Sequence, residues 1–171
     1  MSQGRPTGFG LPDVKPLTDR FVETLRNSMG DRLLGVTLYG SVARGEARPD
    51  SDVDLLVVHR GGRVAALDAV REARWAVAED SVTEELRDRG VPVDLSYVAF
   101  SDTQFADTPW LLLDISHHGI ILFDPHEVLS HKLAALRARL RELGSQRIEL
   151  PNGDWYWDIK PDMVPGEIVH L

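Results

Sequence analysis

The sequence of 171 residues contains no cysteine. This excludes disulfide bonds and thiolate metal sites, so a bound ion would have only oxygen or imidazole ligands. No apolar run approaches the roughly 18 residues of a transmembrane helix, and the N-terminus lacks the basic-then-apolar layout of a secretory signal. The sequence therefore predicts a cytoplasmic protein that has no membrane part.

Lysine is also scarce, since only three of the 19 basic residues are lysines and the rest are arginines. The formal net charge of −8 disfavours a long nucleic acid as partner, because the phosphate backbone repels an acidic surface. Arginine nevertheless makes planar, bidentate contacts with phosphate. A local site for a small anion such as a nucleotide is therefore compatible with the acidic whole.

The length and the hydrophobic content of 43% are typical of a single globular domain spanning 1–171. Within it, residues 1–14 are rich in Gly and Pro and are predicted to form a flexible lead-in. A core is predicted for 15–124. Residues 125–171 are predicted to form a C-terminal helix followed by an irregular tail.

Helical and apolar patterns alternate along the chain, which predicts an α/β fold with a mixed β-sheet flanked by helices. A capping-box pattern at Ser81 leaves open whether 63–89 is one helix or two. Thr108 is predicted to cap a short helix that ends at Gly119. The predicted helices are 16–29, 63–89, 109–118 and 125–143, and the predicted strands are 33–39, 53–59, 91–100 and 120–123.

Two aspartates, Asp52 and Asp54, stand two positions apart at the second predicted strand. Side chains of equal parity in a strand share one face, so the two carboxylates can converge. Aspartate is depleted in strands, and like charges held close together are costly unless a cation compensates them. The pair is therefore either a solvated edge with arginine neighbours or a site for a divalent metal.

Further residues favour the metal. Asp94 is predicted to lie inside the third strand, where a third carboxylate is hard to explain as surface decoration. Oxygen ligands of this kind suit Mg²⁺ or Mn²⁺, which complete their coordination with water and substrate phosphates. Gly40 and Ser41 follow the first strand, where free backbone N–H groups and a hydroxyl can hold phosphate oxygens.

Residues 38–58, LYGSVARGEARPDSDVDLLVV, resemble the signature of the nucleotidyltransferase superfamily that includes DNA polymerase beta. The likeness is greatest to its small bacterial branch, the minimal nucleotidyltransferases, and extends more loosely through VPVDLSYV and HHGIILFDP to about residue 125. It implies the polymerase beta-like fold with an added C-terminal helix. It also implies transfer of a nucleoside monophosphate from a nucleoside triphosphate to a hydroxyl, with release of pyrophosphate.

The resemblance assigns roles by position. Asp52 and Asp54 would bind two Mg²⁺ or Mn²⁺ ions, and Asp94 would complete the ion that activates the acceptor. Gly40 and Ser41 would hold the phosphates of ATP, with Arg44 as a further triphosphate contact. Because members of this branch occur beside HEPN-domain toxins and some adenylylate a toxin tyrosine, a toxin of this class is an expected partner.

Several alternatives stay open at this point. The acceptor could be a small hydroxyl compound, as in the related aminoglycoside nucleotidyltransferases, or the chain could be a non-catalytic binding module of the same fold. The leucine stripe of the last helix is either core or an interface for a homo-oligomer. The remaining open residues are His117 and His118, as ligands or solvated groups; Trp155, Tyr156 and Trp157, as base contacts or tail anchors; and Arg137, Arg139, Arg141 and Arg147, as a solvated face or a surface for an acidic partner.

Overall fold

The computed structural model describes residues 8–151 and 155–171. A four-stranded sheet carries helices on both faces, and a two-stranded hairpin lies at the C-terminal end. The helices are α1 (Leu11–Met29), α2 (Gly40–Arg44), α3 (Arg63–Ala78), α4 (Ser81–Asp88), α5 (Asp102–Ala106), α6 (Leu111–His118) and α7 (Val128–Glu142). The strands are β1 (Leu33–Tyr39), β2 (Val53–His59), β3 (Leu95–Ser101), β4 (Ile120–Phe123), β5 (Gln146–Glu149) and β6 (Trp155–Asp158).

The main sheet has the strand order β3-β2-β1-β4, and its strands are mixed in direction. β1 runs antiparallel to β2 and β4, whereas β2 and β3 are parallel. The short connection through α2 permits only an antiparallel return, while α3 and α4 give the longer crossover that a parallel pair needs. The predicted α/β fold with a mixed sheet is confirmed.

Each face of the sheet has its own apolar core. Val53, Leu55 and Val57 pack with α1, α3 and α4, whereas Leu56 and Val58 pack with α5, α6 and α7. This follows from the two-residue period of a strand. By the same parity, Asp54 belongs to the face that α6 and α7 cover.

The leucine stripe of α7 is part of the second core. α7 begins at Val128, three residues later than predicted, because Glu127 before it has a left-handed backbone with φ of 55°. Of the five leucines in the predicted stripe, Leu143 at the C-cap is half-buried. The other four are buried in the single chain and are not available to a second copy: Leu129, Leu133, Leu136 and Leu140. A Cβ at Gly35 of β1 would overlap the Leu129 side chain, which shows how closely α7 lies on the sheet. The leucine stripe is therefore part of the core of the single chain, which was the first of the two alternatives.

Helix α1 begins at Leu11, earlier than the predicted start at 16. The prediction was wrong because Pro12 is tolerated in the first turn of a helix, where its missing N–H has no partner to lose. Asp13 accepts a hydrogen bond from the Gly10 N–H at 2.8 Å and thereby closes the helix start. The first seven residues of the predicted lead-in lie outside the described residues.

The segment 63–89 forms two helices, and Asp80 caps the second by accepting the Val82 N–H at 3.1 Å. Ser81, the predicted cap, is the first helical residue. Strand β3 begins at Leu95, so the prediction that Asp94 lies inside this strand was wrong. Pro92 lacks the N–H that a ladder needs, and the pairing starts after it.

The structure also contains elements that the sequence pattern did not predict. Helix α5 follows β3 directly and is capped by Ser101, whose hydroxyl accepts the Gln104 N–H at 3.2 Å. Thr108 has a left-handed backbone, with φ of 53°, so α6 begins at Leu111 instead of at Pro109. The predicted irregular tail contains the β5–β6 hairpin, whose residues 152–154 lie outside the described residues.

No helix within residues 8–151 and 155–171 combines the length and the apolar character needed to cross a membrane.

Candidate active site

Three polar side chains form a row across one end of the sheet. Tyr39 pairs with Asp54 between antiparallel β1 and β2, and Asp54 pairs with Ser96 between parallel β2 and β3. Because directly paired residues project from the same face, the phenol, the carboxylate and the hydroxyl lie side by side. On this face of β2, the apolar side chains of Leu56 and Val58 are followed towards the start of the strand by the polar side chain of Asp54.

Gly40 brings the backbone into contact with this row. It directly follows β1, begins α2 and has φ of 73°, a left-handed conformation that favours glycine. A Cβ at this position would overlap the Asp54 carboxylate. Position 40 therefore requires glycine twice over, for its backbone angle and for the space that Asp54 occupies.

The environment of Asp54 disfavours its charged form. Burial raises the pKa of Asp54 above 3.8, and the carboxylates of Asp52 and Asp114 raise it further. The side chains of Ser96 and Arg44 act in the opposite direction and lower it. The result is a half-buried carboxylate whose negative charge is only partly compensated by the protein.

Tyr39 is affected by the same charges. Burial raises its pKa to about 12, and the carboxylates of Asp54 and Asp114 contribute to the rise. The phenol is therefore neutral at physiological pH and can donate a hydrogen bond. Asp114, which α6 contributes, is thus a third carboxylate that faces the row.

Asp94 lies beside the pair in the backbone but not in the group of charges around Asp54. Its carbonyl accepts the Val53 N–H at 2.8 Å, so its main chain adjoins the start of β2. The residue is exposed, and it borders a cavity of about 150 Å³ together with Arg74, Trp75 and Arg87. Its predicted role as a metal ligand stays a prediction.

Within residues 8–151 and 155–171, no three Asp, Glu or His side chains are grouped closely enough to hold a metal ion. The pair Asp52 and Asp54 nevertheless fits a hard cation by its chemistry. Asp52 is exposed, just before β2, and Asp54 is half-buried within it. The two carboxylates repel each other, and a divalent ion with oxygen preference relieves that repulsion.

Arg44 lies at the other end of α2 and donates from Nε to Glu46 at 2.8 Å. It borders a cavity of about 540 Å³ together with His118 and Arg147. Burial lowers the pKa of His118, and the positive charges of Arg147 and Arg44 lower it further. This cavity adjoins the C-terminal end of α2 through Ala43 and Arg44.

Sequence reasoning brought Asp52, Asp54, Gly40 and Arg44 to one region but missed Tyr39, Ser96 and Asp114. The positions of Tyr39 and Ser96 depend on the strand register, which pairs both residues with Asp54 and which the separate strand patterns do not give. Nothing in the sequence indicated Asp114, since its position depends on how α6 packs against α2 and β1.

The chain matches the family model described as "Nucleotidyltransferase domain" over residues 21–109, more than half of its length. It belongs to that family. The matched segment includes the whole row of Tyr39, Asp54 and Ser96 and all of α2. The predicted nucleotidyltransferase activity and fold class are confirmed by this match, while residues beyond 109, including Asp114, α7 and the hairpin, lie outside it.

The nucleotidyltransferase is similar to a protein of Methanocaldococcus jannaschii that is described as "Putative protein adenylyltransferase MJ1305". The two are 27% identical over 127 residues, which cover 74% of this chain and 83% of that protein. A solved toxin-antitoxin structure with AMP-PNP is 16% identical, with a TM-score of 0.42, over 74% of this chain and 91% of that one. A solved complex of a tri-AMPylated Shewanella oneidensis HEPN toxin with its MNT antitoxin is 15% identical, with a TM-score of 0.42, over 75% and 87%. The two structural similarities are too low to bear on the activity of this chain.

Proposed function

We propose that this nucleotidyltransferase is metal-dependent and transfers AMP from ATP to a hydroxyl group of a partner protein, a toxin of the HEPN class. The observation that carries the proposal is the contact between the Asp54 carboxylate and Gly40. This contact places a carboxylate that would bind a divalent ion next to the backbone turn at which phosphates would bind. Both lie within the family segment.

In this reaction the acceptor oxygen attacks the α-phosphorus of ATP. The bond from that phosphorus to the oxygen bridging to the β-phosphate breaks, pyrophosphate leaves, and the acceptor hydroxyl loses its proton. Divalent ions, when bound, lower the pKa of the attacking hydroxyl and neutralise charge on the leaving group. Little covalent chemistry then remains for the protein.

The residues of the chain serve mainly to hold and orient. Asp52 and Asp54 would bind the ions, and Asp94, which lies next to them in the backbone, would contribute to the ion at the acceptor. The N–H groups of Gly40 and Ser41 and the Ser41 hydroxyl would donate hydrogen bonds to the phosphate oxygens, with Arg44 at the far end of α2 as a positive charge for the triphosphate.

The partner proposal has two supports. The segment 38–58 resembles the minimal branch of the superfamily, and the curated relative is described as acting on a protein.

The experiment uses ATP labelled at the α-phosphate, Mg²⁺, and a toxin of the HEPN class as the acceptor protein. Wild-type protein should transfer label to the partner, and Asp54→Asn should reduce the rate by at least a hundredfold. Asp50→Asn is the matched control, because Asp50 is an exposed aspartate in the loop that precedes β2, four residues before Asp54. Its rate should stay within twofold of wild type.

Other outcomes decide between the alternatives. Label on an aminoglycoside instead of on the protein would replace the proposed acceptor with a small molecule. Tight partner binding that needs neither Mg²⁺ nor Asp54, without transfer, would indicate a binding module. Equal rates for Asp54→Asn and Asp50→Asn would remove Asp54 from the catalytic site.

A further inference from the structure

A third cavity, of about 410 Å³, lies between α6, α7 and the C-terminal hairpin. We call it the arginine cavity, because Arg137, Arg141 and Arg147 all line it. It is outside the family segment 21–109, and none of the residues proposed above for catalysis lines it. Its volume lies in the range of small-molecule sites in proteins.

The charge of this cavity contrasts with that of the whole chain. Three guanidinium groups line it, and no Asp or Glu is among its lining residues in the described part of the chain. The protein as a whole carries a formal net charge of −8. An acidic protein that gathers three arginines around one concave space has a local preference for anions.

The arginines are only partly engaged by the protein. Arg137 donates from Nε to the Ser116 carbonyl at 2.6 Å, which fixes its position and leaves its other donors. The Arg147 guanidinium lies 4.6 Å from the centre of the Trp155 ring. Its ion pair with Glu149, at 3.4 Å, is weak because Glu149 is 76% exposed.

Two further donors of this region have no acceptor. Nε1 of Trp157 and Nε of Arg147 are buried and make no hydrogen bond within the described residues. Arg141 is exposed, and its side chain has no hydrogen bond or ion pair with residues 8–151 and 155–171, so its guanidinium is free to bind a ligand. Buried donors in folded proteins are normally satisfied, so unpaired ones beside a cavity point to an acceptor that the chain itself does not supply.

We propose that the arginine cavity binds a small phosphate-bearing molecule, at a site separate from the Asp52 and Asp54 region. Phosphate oxygens match both features of the cavity, because they accept bidentate bonds from guanidinium and carry more than one charge. Leu140 and the ring of Trp157 give the cavity an apolar side as well. A nucleotide would use this apolar side for its base, whereas inorganic pyrophosphate would use only the polar donors, which are the arginines and Nε1 of Trp157.

Isothermal titration calorimetry with pyrophosphate, and separately with ADP, tests the proposal in EDTA, so that no divalent ion supports the other site. Arg141→Gln should weaken binding at least fivefold, because it removes a guanidinium that has no other partner. Arg139→Gln is the matched control on the same helix, since Arg139 is bonded to Glu142 and to the His170 carbonyl. It should change affinity less than twofold.

Trp157→Phe gives a second test with an opposite sign. Without ligand, the substitution removes an unsatisfied buried donor and should leave the melting temperature unchanged or raise it. If the donor serves the ligand, the same variant should bind pyrophosphate at least threefold more weakly. A structural role alone would lower the melting temperature and leave the affinity per folded molecule unchanged.

Tighter binding of ADP than of pyrophosphate would identify a nucleotide as the ligand, and equal binding would identify an inorganic one. Three results would overturn the proposal: no binding of either probe at millimolar concentration, equal weakening by Arg141→Gln and Arg139→Gln, or loss of binding in Gly40→Ala with Arg141→Gln unaffected. Because the titration needs neither metal nor turnover, its failure is independent of failure of the transferase assay.

Discussion

The Asp54 carboxylate occupies the space that a side chain at Gly40 would need. A residue of β2 and the first residue of α2 are thus matched in shape as well as in chemistry. Since the sheet fixes Asp54 and the turn after β1 fixes Gly40, neither can move without disturbing the other.

Gly40→Ala should therefore reduce adenylyl transfer more than tenfold. The new methyl group displaces the carboxylate, and the left-handed backbone costs about 1–2 kcal/mol for any residue with a Cβ. Gly90→Ala separates the two effects, because Gly90 has a similar φ of 70° with nothing within 4 Å of its Cβ position. That control should lower the melting temperature but keep the transfer rate, and equal rate losses would contradict the argument.

Asp54→Asn should stabilise the metal-free protein at neutral pH. Because the folded state raises the pKa of Asp54 above 3.8, the folded protein holds its proton more tightly than the unfolded chain does. Stability is therefore lost as pH rises from about 3.8 through the raised pKa, and the neutral amide avoids this loss. Thermal melts in EDTA at pH 7 and pH 3.5 measure it, with a gain expected only at pH 7.

Mg²⁺ should reverse that order. Its addition at pH 7 should raise the melting temperature of the wild type and leave that of Asp54→Asn unchanged, since binding to the folded state alone stabilises it. An equal response of both proteins to Mg²⁺ would mean that Asp54 does not bind the ion.

The protein should lose stability below pH 6.5. Burial lowers the pKa of His59, which is 1% exposed, so the unfolded chain takes up its proton first as the pH falls. Stability from neutral His59 is thus full above pH 6.5 and is lost downwards to the folded pKa, at up to about 1.4 kcal/mol per pH unit. Urea unfolding from pH 5 to 8 should show a flatter profile for His59→Leu. His131→Gln, a change at an exposed histidine, should keep the wild-type profile.

Gly35→Ala should destabilise the fold by about 1–3 kcal/mol, the usual cost of overpacking a core. Its Cβ would overlap Leu129 and push α7 away from the sheet. Gly62→Ala is the comparison, because nothing lies within 4 Å of its Cβ position. Urea unfolding should show a smaller loss there, of about 0.5–1 kcal/mol, because Gly62 is the N-cap of α3 and alanine is a poorer cap. A similar loss at both positions would count against tight docking of α7.

Much of the fold was predictable because local patterns determine it. The apolar runs of β1, β2 and β4 and the leucine period of α7 each indicated one element. The β5–β6 hairpin was not predicted, because the prolines of the tail indicated irregular chain. The alternation of Trp155 and Trp157, which lie on one face of β6, was the signal for a strand. The start of β3 was predicted too early, because the apolar pattern includes Val91. Pro92 has no N–H to donate, so the hydrogen-bonded ladder starts only after it.

The site was predictable in part for a similar reason. Asp52 and Asp54 are close in sequence, so their shared face follows from strand geometry alone. Asp114 is brought to the same place by the packing of α6 against α2 and β1, and no local pattern encodes that contact. The position of Asp94 also depends on a boundary, that of β3, which a single proline shifts.

The two faces of the sheet are completed at different times during synthesis. On the ribosome, α1, β1, β2 and α3 emerge first and can assemble the first core while the nascent chain is still short. The face that carries Asp54 stays bare until α6 and α7 follow, more than fifty residues later in the sequence. The first core can therefore form before the second face of the sheet is covered. A truncated product that ends before α6 would leave Asp54 and its face of the sheet exposed to water.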